Sequence, residues 1–214
     1  MTLRVKTRWL PAAAVILATG VLGSCQNRPA ATFYVRPAGQ AINVNGPYRH
    51  ELSGMEFPTA VGEFTRVRML QYDRAGRTVS GTYVIDGAAS RLTATVFIYP
   101  ARDASKQARG DQCRGQFDSA AADLQKTYPG ARFDGGGDAT LAQAGQTHPG
   151  RRSIFAYDEK IASGSWPSTA ELYLFCYVAD QWQIEYRFTH PRELDAQAIL
   201  EDFMARMVQT LRVV

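Results

Sequence analysis

The stretch TAELYLFCYV at 169–178, then ADQ at 179–181, then WQIEYRFT at 182–189 decides the fold. Leu172, Leu174, Cys176 and Val178 fall on one side of an extended chain, and Glu171, Tyr173, Phe175 and Tyr177 on the other. The second run alternates in the same way. Trp182, Ile184, Tyr186 and Phe188 stand against Gln183, Glu185, Arg187 and Thr189, and Pro191 ends it. A period of two over both runs, broken by a short polar turn, specifies an antiparallel hairpin.

The same signal recurs upstream. Phe64–Tyr72 is rich in β-formers, and Asp73-Arg74-Ala75-Gly76 is a turn in which Gly76 supplies positive φ. Thr78–Asp86 returns with Val79, Gly81, Tyr83 and Ile85 on one face. Gly87-Ala88-Ala89-Ser90 turns again, and Leu92, Ala94, Val96 and Ile98 alternate with Thr93, Thr95, Phe97 and Tyr99 up to Pro100. These runs predict a three-stranded meander.

Two helices complete the pattern. Cys113, Phe117, Ala120, Ala121, Leu124 and Tyr128 form one helical stripe over 111–128, stopped by Pro129-Gly130. Leu200, Phe203, Met204, Met207 and Leu211 form another over 194–211. Gly135-Gly136-Gly137-Asp138 reads as a flexible turn, Arg152–Tyr157 as a further strand, and 158–168 as a loop. The expected fold is α+β: an antiparallel sheet, made of the meander plus the C-terminal hairpin, with both helices packed on one face.

The chain opens differently. Arg4, Lys6 and Arg8 make a basic segment without acids, and Trp9 to Leu22 is largely apolar. That run is shorter than the roughly 20 residues of a spanning helix and suits a signal peptide. Leu22-Gly23-Ser24-Cys25 follows and resembles the lipobox of bacterial lipoprotein precursors. The resemblance implies lipid on the Cys25 thiol and cleavage before it. Residues 1–24 are then a leader, 25–62 a lipidated cysteine, tether and irregular arm, and 63–214 a single domain. Gln26, in place of Asp, points to the outer membrane, with the domain facing the periplasm.

In element order (meander, helix, strands, helix) the mature chain resembles the PsbP-like fold. Phe57-Pro58 with Val61 and Phe64, Val96–Pro100 and Tyr186–Pro191 also resemble segments of uncharacterised bacterial envelope lipoproteins, and carry no function from them.

Composition narrows the chemistry. Of 24 basic residues three lie in the leader, leaving 21 against 20 acidic ones, so no nucleic-acid partner is implied. Residues 63–114 are locally basic, with Arg66, Arg68, Arg74, Arg77, Arg91, Arg102, Lys106, Arg109 and Arg114. Several alternate with apolar residues and read as the solvated face of strands, and a patch meeting the phosphates of acidic lipid or lipopolysaccharide is the alternative. Besides Cys25, the cysteines are Cys113 and Cys176. An exported chain with two cysteines is expected to bond them. Cys113 begins one apolar stripe and Cys176 lies on an aliphatic strand face, so helix packed on strand brings the sulfurs together. A redox-active pair, without a C-x-x-C, and two buried thiols are the alternatives.

Catalytic patterns are missing from the sequence. His50, His148 and His190 lack metal-ligand spacing, so neither a metal nor a cofactor is expected. Met204 and Met207 sit at core spacing, and Gly164-Ser165-Trp166 is not a nucleophile elbow. Asp158-Glu159 is an adjacent acidic pair in a loop. Tyr173, Phe175 and Tyr177 share a strand face and are the candidate partner-binding surface, with a second packed layer as the alternative. The expected function is that of a non-catalytic, lipid-anchored accessory protein of the cell envelope that binds a protein partner. A periplasmic carrier of a lipid or hydrophobic small molecule, and an envelope hydrolase, are the alternatives.

Overall fold

The computed structural model describes residues 38–87, 91–101, 106–161, 164–179 and 181–211. Residues 1–24 and Cys25 lie outside the described residues.

Among the described residues, eleven strands and two helices follow one another. Four two-residue strands come first: β1 Gln40–Ala41, β2 Tyr48–Arg49, β3 Glu56–Phe57 and β4 Ala60–Val61. Then come β5 Phe64–Gln71, β6 Val79–Asp86, β7 Arg91–Pro100 and helix α1 Lys106–Thr127. The chain continues through β8 Arg132–Gln143, β9 Gln146–Ile161, β10 Gly164–Val178 and β11 Trp182–Pro191 to helix α2 Gln197–Gln209. The architecture is mostly antiparallel sheet with two helices, an α+β fold. The large sheet runs β1-β5-β6-β7-β11-β10-β9-β8, with β4 also on β5, and every pairing in it is antiparallel.

The helices lie on opposite faces, not on one. The expectation failed because β7 and β10 carry apolar side chains on both sides, and such strands need cover on both. One layer joins Phe117, Ala120 and Leu124 of α1 to Phe97, Tyr99, Phe155, Leu172, Leu174 and Cys176. The other joins Leu200, Phe203, Met204 and Met207 of α2 to Val79, Tyr83, Tyr173, Phe175, Tyr186 and Phe188. Phe203 is its centre: its ring lies 4.5 Å from Phe64, 5.4 Å from Tyr83 and 5.9 Å from Phe188.

Residues 48–61, expected as part of an irregular arm, contribute Met55, Phe57 and Val61 to the α2 layer. Arg66 ties this segment down, donating to the carbonyls of Phe57 and Gly46. Thr210 at the end of α2 donates to the Glu56 carbonyl at 2.7 Å.

Gly135–Asp138, expected as a turn, lies inside edge strand β8. An edge strand tolerates glycine, and here the partner demands it. A Cβ on Gly136 would stand 2.5 Å from the Arg152 carbonyl oxygen of β9. Likewise 158–161 and 164–168, expected within a loop, are strand, since β9 and β10 pair out to Ile161 and Gly164. No helix among the described residues is long and apolar enough to cross a membrane.

Candidate functional site

Cys113 of α1 and Cys176 of β10 form a disulfide, with Cα atoms 6.0 Å apart. It closes a loop spanning a sequence separation of 63 and pins α1 to the sheet.

Just beyond Cys176 the strand breaks its alternation. Phe175 pairs with Ile184 and Val178 with Trp182, so β10 carries one extra residue, a β-bulge. Tyr177 absorbs it in the left-handed region, with φ +58°. Its ring therefore joins the α1 layer instead of following Tyr173 and Phe175. The Arg109 guanidinium carbon lies 4.8 Å from the Tyr177 ring centre, and the Tyr177 hydroxyl donates to Gln112 Oε1 at 3.2 Å. A tyrosine held at positive φ is unusual, and such outliers concentrate at functional sites.

A cavity of about 400 Å³ opens here, against the disulfide. Helix α1 supplies Arg109 and Arg114, β8 supplies Asp138, β9 supplies Arg151, and β10 supplies Tyr177. Asp138 stands directly across from Arg151 in the β8–β9 register. The Arg151 guanidinium carbon sits 5.2 Å from the Phe117 ring centre. The Nε atoms of Arg109 and Arg151 are buried, and among the described residues neither has a hydrogen-bond partner. Among the described residues the cavity thus has two guanidinium groups backed by rings, an exposed third on Arg114, one carboxylate, and a wall of tyrosine and disulfide. Arginine in this setting recognises carboxylate and phosphate. Among the described residues the lining holds neither a histidine nor a serine, and its cysteines are bonded to each other.

The three residues expected to meet a partner are thereby separated. Tyr173 and Phe175 are buried at 3% and 0% exposure beneath α2, so they cannot form an exposed surface. The packed layer takes them because α2 brings Phe203 and Met207 onto that face. Tyr177 alone borders the cavity.

Two buried glutamates were hidden in the alternating strands. Glu171 is the hub of one network on the α2 side. It accepts from Arg152 Nη2 at 2.8 Å, from the Tyr173 hydroxyl at 2.9 Å and from His190 Nε2 at 3.2 Å. Burial pushes its carboxyl up, but the His190 hydrogen bond, the Arg152 charge and the Tyr173 hydroxyl outweigh it and hold it below the ordinary range. His190 Nδ1 faces the Pro191 carbonyl at 2.8 Å, so both ring nitrogens face acceptors. Glu185, fully buried on the α1 side, accepts from the Tyr99 hydroxyl at 2.9 Å and from Arg187 Nε at 2.5 Å. Neither glutamate lines the cavity, and both bind strands together.

His50 and Ser53 form a locked pair. The Ser53 hydroxyl donates to His50 Nδ1 at 2.7 Å, while His50 Nε2 donates to the Gly76 carbonyl at 2.7 Å. With Nε2 engaged and both residues buried, the pair holds the turn at Gly76 to the 50–55 segment. Met204 and Met207 are core residues. Among the described residues, no group of three or more His, Cys, Asp and Glu side chains converges as a metal-ligand set.

No protein-family model matches the chain, and no curated protein matches it.

Proposed function

We propose that the protein is a lipid-anchored accessory module of the cell envelope that works by binding, through the arginine-lined cavity beside Cys113–Cys176. The anchor is supported by the order of basic segment, apolar run and Leu22-Gly23-Ser24-Cys25, with Gln26 favouring the outer membrane and a domain facing the periplasm. Binding is supported by one observation above all: a concave site in which arginine side chains from two elements and a strained tyrosine meet. The fold reading that accompanies it is a meander and C-terminal hairpin joined in one sheet, similar in element order to the PsbP-like fold.

The occupant is either a projecting group of an envelope protein or, in the second reading, a small molecule that the protein carries. Burial of Tyr173 and Phe175 takes away the flat aromatic surface suited to a protein and gives weight to the second. Native mass spectrometry of protein extracted from membranes separates the two, as a co-purified protein or a small added mass. The anchor is tested by Cys25→Ala, expected to shift the protein from the membrane to the soluble fraction and remove the acyl mass. An unchanged, membrane-held mature form of the variant refutes it.

A further inference from the structure

Among the described residues, the cavity beside Cys113–Cys176 carries more positive charge than its walls neutralise. Three arginines there face one carboxylate, that of Asp138. Two of the arginines, Arg109 and Arg151, bury an Nε that has no partner among the described residues. A buried donor left unbonded is costly, and native proteins rarely keep one without a reason. The two residues come from separate elements, α1 and β9, and both line the same space.

Their setting is as telling as their charge. Arg109 lies against the Tyr177 ring and Arg151 against the Phe117 ring. Stacking on a ring restrains a guanidinium plane, so less freedom is lost when a ligand binds to its edge. Tyr177 and the disulfide supply an apolar wall, and Gly110 leaves the helix side open, with nothing within 4 Å of where a Cβ would stand.

We infer that this cavity takes an organic anion: a carboxylate or phosphate ester group paired with Arg109 and Arg151, on an apolar body that lies against Tyr177 and the disulfide. This rests on the reading of the cavity as a binding site. The charge of Arg114, exposed one turn beyond Gly110, favours approach of the same anion. A cavity of about 400 Å³ suits a small molecule or the end of a chain, not a folded surface.

The test is calorimetric titration of the purified full chain with four probes: benzoate, phenyl phosphate, benzyl alcohol and inorganic phosphate. Benzoate or phenyl phosphate is expected to bind at least tenfold more tightly than benzyl alcohol, which has the ring without the charge. Inorganic phosphate, charge without a body, is expected to bind more weakly than phenyl phosphate. The stronger of the two charged aromatics identifies the anionic group. Arg109→Gln and Arg151→Gln are each expected to weaken binding about tenfold. Because both arginines pack on rings, Gly110→Phe serves as the second variant. It fills the open side, leaves every arginine in place, and is expected to abolish binding with the thermal midpoint retained. Benzyl alcohol binding as tightly as benzoate, unaffected by the arginine variants but lost in Gly110→Phe, overturns the anion and leaves the binding site standing. No binding of any probe overturns both.

Discussion

Tyr173 and Tyr177 lie on one strand, yet they face opposite layers of the protein. Tyr173 is buried under α2 with its hydroxyl on Glu171, and Tyr177 lies under Arg109 on the α1 side. The extra residue between Phe175 and Val178 reverses the alternation and places Tyr177 at the cavity. The same step separates a core residue from a site residue, with different consequences for substitution.

Tyr177→Gly removes a left-handed tyrosine, which costs roughly 1–2 kcal/mol in backbone strain, and forfeits a cation–π contact of about 1 kcal/mol. Its stability in urea is expected to stay within about 1 kcal/mol of the parent. Tyr173→Ala is expected to lose about 3–5 kcal/mol, as for other buried aromatics. Equal losses in the two variants would show that Tyr177 is an ordinary packing residue.

The disulfide holds a helix that is weak by itself. Gly110 and Gly115 lie within α1, each about 1 kcal/mol worse than alanine. Replacing Cys113 and Cys176 together by alanine is expected to cost about 4 kcal/mol from chain entropy. Amide exchange is expected to rise first across residues 109–117. Unchanged exchange there would mean that the apolar stripe alone secures the helix.

On the other face, Phe203→Ala leaves a hole among Phe64, Tyr83 and Phe188 and is expected to cost about 3–5 kcal/mol. Phe133→Ala, at a residue 64% exposed, is expected to change stability by less than about 0.5 kcal/mol. Denaturant midpoints of the two variants check this, and similar shifts would contradict the assignment of the α2 layer as core.

Acid is expected to weaken the fold through several groups of the same sign, Glu171 and His50 among them. Glu171 is held below the ordinary carboxyl range, so its contribution is present above its unfolded value and lost as pH falls through the folded one. Burial lowers the His50 imidazole, against the pull of the Gly76 carbonyl, Asp73 and Glu51. Its neutral form is favoured, and that contribution too is lost on acidification. Urea unfolding between pH 7 and 3 is expected to show stability falling with pH. Glu171→Gln is expected to cost about 3 kcal/mol at neutral pH, because Arg152 loses its buried partner, and to flatten the acid limb. A parallel acid limb in the variant would exclude Glu171 as the group responsible.

Much of the frame was legible because it is written in local periods. The strands at 169–178 and 182–189, the stripe beginning at Cys113 and the stripe ending at Leu211 need only spacing. The sidedness of the helices was not, because aromatic and aliphatic faces of β10 are equally fit to be buried. Glycines at 135–137 read as a turn, since sequence does not reveal an edge position. Arg66 read as a solvated strand residue, since its acceptors, the Gly46 and Phe57 carbonyls, are backbone groups without a side-chain signal. The cavity was the least legible feature. Its arginines come from α1 and β9, and the bulge that turns Tyr177 toward them leaves no fixed mark in composition.

The most direct measurement on the cavity is site-specific photocrosslinking in cells, with a diazirine amino acid at Arg114 of the full chain and, separately, at exposed Val67. If the cavity is the working surface, position 114 yields a discrete added mass that Gly110→Phe removes, and position 67 yields none. The same products from both positions, or none from 114, would contradict a binding role for the cavity.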